Sequence, residues 1–103
     1  MINQQLLNPG SIVVIGGSND LQKPGGAVLR NLIEGGFKGQ LYVTNLKEPE
    51  VQGIRSFTDP AQLPEVDLAI IAIAAKFVPD TVELLTTQKN TRAFIVLSAG
   101  FSE

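Results

Sequence analysis

The sequence predicts an α/β fold: a doubly wound parallel sheet of about five strands with helices on both of its faces. Three observations lead to this prediction. Short apolar runs alternate along the chain with segments of helical period, a pattern typical of parallel strands joined by crossover helices. The runs are rich in β-branched residues, which suit strands that are buried on both faces. A glycine pair lies directly between the first run and the first helical segment.

The first strand, the glycine turn and the first helix organise the chain. Ile12–Ile15 is an unbroken β-branched run, and Gly16 and Gly17 end it. Pro24 suits the first turn of a helix, where a missing N–H costs nothing, and beyond it apolar residues recur four positions apart, as on one helix face. Because this arrangement directs free backbone N–H groups and the positive end of a helix dipole to one place, it predicts an anion site, most often for phosphate.

The remaining elements follow from the later apolar runs. The sequence predicts four further strands, at Gln40–Val43, Ile54–Phe57, Leu68–Ile73 and Ala93–Leu97. A short helix is expected after a Thr58 or Asp59 cap, with Pro60 at its start. A longer helix precedes the last strand, with Pro79 tolerated only in its first turn. Since a doubly wound sheet rarely ends on a buried strand without a following helix, we expect residues 1–103 to be one domain at the front of a longer protein.

Length and composition bound the class of protein. The 103 residues are enough for one domain and too few for two. A net charge of −2 argues against nucleic acid or a membrane surface as a partner, since both normally require a basic excess. No apolar run approaches the roughly 20 residues of a membrane span, and the first residues lack the basic flank and apolar core of a secretory signal. We therefore expect a cytoplasmic protein.

The chain contains neither cysteine nor histidine. Without cysteine it has no disulfide, thiol nucleophile or thiolate metal site. Without histidine it lacks the usual general base and the commonest metal ligand. The paired carboxylates fall outside the segments that follow the strands; they are Glu48 and Glu50, Glu65 and Asp67, and Asp80 and Glu83. We therefore predict no catalytic residue and no metal site in this chain, and we favour a binding role.

Ligands of doubly wound sheets lie beyond the carboxyl ends of the strands. The segments expected there are Gly16–Lys23, Asn45–Lys47, Ala74–Lys76 and Ser98–Phe101. Lys23, Lys47 and Lys76, three of the eight basic residues, fall on these segments. This favours an anion-binding rim, although lysine is also common in ordinary loops. The glycine loop departs from the dinucleotide fingerprint, since Ser18 replaces its second glycine, so a simple tight turn is the alternative.

The end of the second strand carries no acidic residue. NAD-binding folds usually place an aspartate or glutamate there to hold the ribose hydroxyls, whereas this chain has Asn45 and Lys47. A neutral amide followed by a cation suits a ribose that carries a phosphate, as in NADP or coenzyme A. The alternative is that Asn45 is a turn residue and Lys47 a solvated loop charge.

Five segments resemble the coenzyme A-binding domain of the nucleoside-diphosphate-forming acyl-CoA ligases, the family of the succinyl-CoA synthetase alpha subunit and ADP-forming acetyl-CoA synthetase. They read SIVVIGGSN, KPGGAVLRNLIEGGFKG, LYVTNLK, VDLAIIAIAA and VLSAGFSE, and they run across nearly the whole chain in the family's order. The resemblance implies a Rossmann-like sheet with strand order 3-2-1-4-5, truncated at its C-terminal end. It also implies that coenzyme A (CoA) is bound, as a substrate.

The resemblance further implies which residues hold the coenzyme. The glycine loop would wrap the phosphate region, with the backbone N–H groups of residues 16–18 donating to phosphate oxygens. Lys47 would supply charge to the phosphorylated adenosine, and the loops after the fourth and fifth strands would line the rest of the site. The expected contacts are Gly16, Gly17, Ser18, Asn19, Lys23, Gly25, Asn45, Lys47, Ala74, Ala75, Leu97, Ser98 and Ala99.

The sequence departs from the family pattern in three places. The loop Ala74-Ala75-Lys76 lacks a proline that the family usually has there. Leu46 replaces the proline of the usual Asn-Pro-Lys, so we expect the loop that carries Lys47 to be less rigid. The segment Asp20–Lys23 makes the glycine loop longer than in succinyl-CoA synthetase.

The resemblance implies a function that needs more than this chain. These ligases work through a phosphohistidine in a later domain and a nucleotide-grasp domain for ADP or GDP, so a chain without histidine is expected to bind CoA and to be inactive alone. Its expected partners are the remaining ligase domains or a nucleotide-grasp subunit, and weakly a second copy through the Ala93–Leu97 edge. The alternatives are a stand-alone CoA-binding regulatory module and an NADP-binding dehydrogenase domain.

Overall fold

A computed structural model describes residues 9–97 of the chain. In chain order its elements are β1 (Ser11–Ile15), α1 (Pro24–Glu34), β2 (Gln40–Thr44), β3 (Glu50–Val51), β4 (Ile54–Arg55), a 3-10 helix (Pro60–Gln62), β5 (Leu68–Ile71), a second 3-10 helix (Ala75–Phe77), α2 (Val78–Gln88) and β6 (Ala93–Val96). Four parallel strands form the main sheet in the order β2-β1-β5-β6. The predicted α/β class and the relative order of these four strands are confirmed.

The predicted third strand, Ile54–Phe57, is wrong as a strand of the main sheet. Ile54 and Arg55 pair antiparallel with Glu50–Val51 in a separate hairpin. Only Phe57 reaches the main sheet, through a single parallel bridge to Thr44. The reason is the turn between β3 and β4, where two successive residues with positive φ reverse the chain, as in the tight turns that close hairpins. The backbone groups of β4 therefore pair locally with β3.

The core has two layers, one on each face of the sheet. Val14 on β1 packs with Leu29 of α1 and Val43 of β2 on one face. Val13, its neighbour on β1, packs with Leu85 of α2 on the other face. Successive side chains of a strand point to opposite faces, so an unbroken apolar strand buries both. This arrangement confirms the doubly wound architecture.

The helix starts follow the predicted signals, and a glycine ends α1. Pro24 is the first residue of α1, and Gly35 caps its C-terminus by donating its N–H to the carbonyl of Asn31. The carboxylate of Asp59 accepts the N–H of Ala61 at 2.9 Å and so caps the first 3-10 helix. Pro79 lies in the first turn of α2. Both α-helices in residues 9–97 have 11 residues, well short of the roughly 20 that a membrane span requires.

We expect Leu29→Ala to lower the free energy of unfolding by about 2–5 kcal/mol, because it leaves a cavity where a fully buried side chain joins α1 to the sheet. Urea denaturation measures the change. Ile33→Ala on the same helix is the control: its side chain is 38% exposed, and we expect a change within about 1 kcal/mol. Equal losses for the two variants would contradict the assignment of Leu29 to the core.

Candidate functional site

A cleft of about 280 Å³ opens at the carboxyl ends of the central strands. Its walls are mainly apolar, and they come from the loops after β1, β2 and β5, from the Thr58–Pro60 segment and from the start of α2. The lining residues are Ile15, Gly16, Thr44, Asn45, Leu46, Thr58, Pro60, Ile73, Phe77 and Thr81. This is the edge at which doubly wound sheets bind ligands, so the structure places a cleft where the sequence predicts one.

At Gly16 and Gly25, the glycine loop beside the cleft leaves no room for a Cβ atom. Gly16 has a φ of +83°, and a Cβ atom there would lie 2.6 Å from the carbonyl oxygen of Ala72. A Cβ atom at Gly25 would overlap the carbonyl oxygen of Gly16. Because neither neighbour is the movable end of a side chain, no other residue fits without a backbone shift. The start of α1 therefore packs directly against the end of β1.

The backbone donors expected in this loop are only partly free. Gly16 and Gly17 donate their N–H groups to the carbonyl of Thr44 at 3.2 and 3.0 Å, and Gly16 also contacts the Thr44 hydroxyl oxygen. These two donors are therefore already engaged within the protein. The N–H groups of Gly25 and Gly26, both buried in the first turn of α1, donate to no acceptor among residues 9–97. The backbone N–H groups of Ser18 and Asn19 likewise donate to no acceptor among these residues, so the unengaged donors lie both in the glycine loop and at the buried start of α1.

The N-terminal end of α1 has a lysine and no acid in its first turn, while Asp20, three residues before the N-cap, accepts the N–H of Gln22 with its carboxylate at 3.0 Å. Lys23 is the N-cap residue, its side chain makes no capping hydrogen bond, and the first turn contains no acidic residue. Most helices place an acid or a capping oxygen here because the dipole end is positive. A lysine at this position adds to the positive potential, which favours an anionic ligand.

Asn45 joins the loop after β2 to the glycine loop. Its Nδ2 donates to the carbonyl of Gly17 at 2.8 Å, and its Oδ1 accepts the backbone N–H groups of Lys47 and Glu48, both at 2.8 Å. Asn45 is therefore the turn residue of the alternative interpretation, and it also lines the cleft. It fixes the backbone of Lys47, whose side chain is exposed beside the site.

Ser18 and Asn19 face the β3–β4 hairpin. The Ser18 hydroxyl accepts the N–H of Asp20 at 2.9 Å, and Asn19 exchanges hydrogen bonds with the backbone of Glu50 and Gln52. The Gln52 side chain donates to the carbonyls of Ser18 and Gly26. Gln52 was not among the expected site residues, because a hairpin in this polar segment was not predicted from the sequence.

The loop after β5 closes the cleft from the other side. Ala74 precedes the 3-10 helix that begins at Ala75, and Phe77 at its end lines the cleft with 54% of its surface exposed. The Lys76 ammonium lies 5.2 Å from the centre of the Phe77 ring, in range of a cation–π contact. Leu46, 85% exposed, lines the cleft beside β2. Leu46 was not among the expected site residues, although an apolar residue in a polar loop is a signal that could have identified it.

The structure thus assembles only part of the expected set. Gly16 and Asn45 line the cleft, and the loops that hold Gly17, Ser18, Asn19 and Lys47 are bonded to one another. Leu97 donates its N–H to Ile71 at 2.9 Å just past β6. Ser98 and Ala99 lie outside the described residues. That the coenzyme contacts these residues stays a prediction.

Comparison with known proteins gives consistent matches. A family model described as a CoA binding domain matches residues 10–103. The alpha subunit of ADP-forming acetate–CoA ligase II from Pyrococcus furiosus is 41% identical over 98 residues, which are 93% of this chain and 21% of that protein. Trans-feruloyl-CoA synthase FCS1, from an unknown prokaryotic organism, is 42% identical over 105 residues, which are 98% of this chain and 15% of that protein.

A solved structure agrees with both. The apo form of dinucleotide forming acetyl-coenzyme A synthetase 1 from Ca. Korarchaeum cryptofilum has a TM-score of 0.85 and 31% identity, and it covers 96% of this chain and 22% of that chain. The present chain therefore spans about a fifth or less of the length of these relatives. Because the family model matches nearly all of its residues and the expected Rossmann-like sheet is present, the chain belongs to the family of CoA binding domains.

Proposed function

We propose that this domain binds coenzyme A as a substrate, as one part of an ADP-forming acyl-CoA ligase. The observation that carries the proposal is the start of α1, where the N–H groups of Gly25 and Gly26 have no acceptor among the described residues and the N-cap residue is Lys23. Donors of this kind bind phosphate oxygens. In the proposal they hold the pyrophosphate of the coenzyme, and the apolar cleft beside them takes an uncharged part of the same molecule.

The expected site residues enter the proposal in different roles. Gly16 and Gly17 shape the turn, and Asn45 holds the loop after β2 against it. Lys47 supplies charge to the 3′-phosphate of the adenosine. The remaining proposed contacts are Ser18, Asn19, Ala74, Ala75, Leu97, Ser98 and Ala99, and they stay proposals.

The larger assembly is also proposed. The relatives are several times longer than this chain, and ADP-forming acetate–CoA ligases are among them. We propose that the remaining ligase domains, or a nucleotide-grasp subunit, supply the phosphohistidine and the nucleotide site. Weak pairing of two copies through β6, which lies at an edge of the sheet within the described residues, and a cytoplasmic location stay part of the proposal.

Thermal unfolding with CoA or NADPH tests the ligand. We expect CoA to raise the Tm, because a ligand that binds only the folded state stabilises it by roughly 2.7 kcal/mol when it exceeds its dissociation constant 100-fold. For a domain of this size that is a shift of about 10 °C or more. NADPH at the same concentration is the control and should leave the Tm nearly unchanged. A larger shift with NADPH would favour the dehydrogenase alternative.

We expect Lys47→Ala to weaken CoA binding about fivefold and to leave dephospho-CoA binding nearly unchanged. The lysine is exposed, so its ion pair with the 3′-phosphate is worth about 1 kcal/mol or less, and added salt should reduce the difference. Isothermal titration of both ligands measures it. Lys38→Ala, an exposed lysine ahead of β2 at the opposite end of the sheet, is the matched control. Equal losses for CoA and dephospho-CoA would show that Lys47 does not contact that phosphate.

The chain alone should have no ligase activity. It contains no histidine to carry a phosphoryl group, so incubation with ATP, CoA and acetate should yield no acetyl-CoA above a sample without protein. A complete ADP-forming acetate–CoA ligase serves as the positive control, with chromatographic detection of the thioester. Acetyl-CoA formation by this chain would contradict the proposed division of labour.

A further inference from the structure

The turn between β3 and β4 contains an unusual residue. Gln52 has a φ of 51°, and Gly53, which follows it, has a φ of 86°. Side chains with a Cβ atom rarely adopt this left-handed region, and those that do are most often asparagine or aspartate. A glutamine held in this conformation calls for a reason, and its side-chain contacts supply one.

The Gln52 amide joins the two ends of the glycine loop. Its Nε2 donates to the carbonyl of Ser18 at 2.8 Å and to the carbonyl of Gly26 at 2.9 Å, so both amide protons are used. The Gln52 backbone N–H donates to Oδ1 of Asn19 at 2.7 Å. Asn19 in turn donates to the carbonyl of Glu50 at 3.2 Å. Four hydrogen bonds thus tie the hairpin to the loop and to the start of α1.

The amide oxygen of Gln52 indicates why a glutamine is present at this position. Its Oε1 is buried and has no hydrogen-bond partner among the described residues. A buried unpaired oxygen destabilises the folded state, and an apolar side chain would avoid that loss. The two bonds from Nε2 are therefore the gain that offsets it. They immobilise a loop with glycines at both ends, and glycine-rich backbone is otherwise the most mobile kind.

We propose that Gln52 is a positioning residue for the anion site: it fixes the loop from Ser18 to Gly26 so that the N–H groups of Gly25 and Gly26 are held ready for the ligand's phosphates. The inference rests on the proposed function. Fixing donors before the ligand arrives strengthens binding, because less conformational freedom is lost on association. Gln52 itself need not touch the coenzyme.

The test uses Gln52→Ala and Gln52→Gly, with Gln40→Ala as the matched control, because Gln40 is exposed at the start of β2, far from the carboxyl ends of the strands. Gln52→Gly removes the amide and suits a positive φ, so it keeps the test valid if the alanine variant folds poorly. Isothermal titration should show roughly tenfold weaker CoA binding by both Gln52 variants and no change in the control.

Two further readouts separate positioning from a purely structural role. The Gln52 variants should lose as much affinity for dephospho-CoA as for CoA, because the pyrophosphate and not the 3′-phosphate meets these donors. For Lys47→Ala, by contrast, we expect a loss for CoA alone. In amide NMR spectra at saturating CoA, the resonances of Gly25 and Gly26 should shift less in Gln52→Gly than in the wild type.

The outcomes are distinct. Wild-type protein that binds CoA, with Gln52 variants that bind it equally well, would overturn the positioning role and leave the proposed function intact. Wild-type protein that does not bind CoA would overturn both. Weaker binding of CoA alone, with dephospho-CoA unaffected, would also overturn the inference.

Discussion

The turn at Gly16 and Gly17 is the constraint on which the rest of the site depends. Both N–H groups donate to the carbonyl of Thr44, so the end of β1 is fixed to the end of β2. The positive φ of Gly16 then turns the chain away from the sheet. The close approach of Gly25 to Gly16 brings the start of α1 directly over the turn. Strand, turn and helix start are thus one packed unit, and the cleft lies beside it.

This unit has a locally positive potential although the chain as a whole is not basic. The net charge is −2, yet α1 begins with a lysine N-cap and has no acid in its first turn. The helix dipole adds to this locally, because the aligned peptide groups leave partial positive charge on the free N–H groups. Attraction for a phosphate therefore arises from backbone geometry together with Lys23. The mainly apolar cleft next to it suits a ligand that is anionic at one place and uncharged elsewhere.

The hairpin that replaces the predicted third strand has a structural consequence for the site. Had Ile54–Phe57 extended along β2, its backbone would have added to the sheet edge. As a hairpin it brings Gln52 and the carbonyl of Glu50 to the glycine loop instead. Phe57 keeps the single pairing with Thr44, whose carbonyl accepts the two glycine N–H groups. The positive φ values of Gln52 and Gly53 thus produce a hairpin that supports the glycine loop, in place of a fifth strand in the main sheet.

The sequence by itself determined the elements whose signals are local. The apolar runs, Pro24 in the first helical turn and the Asp59 cap each act within a few residues. The four strands of the main sheet, the two α-helices, the first 3-10 helix and the burial of both faces of the sheet were predicted from them, whereas the β3–β4 hairpin was not. Only the tertiary structure decided which donors are free and which residues support the loop. The Gly16 N–H donates to Thr44, 28 positions away in the sequence, and the Gln52 amide donates to the carbonyl of Ser18, 34 positions away. Such contacts depend on how the chain packs between distant segments, which no local pattern records.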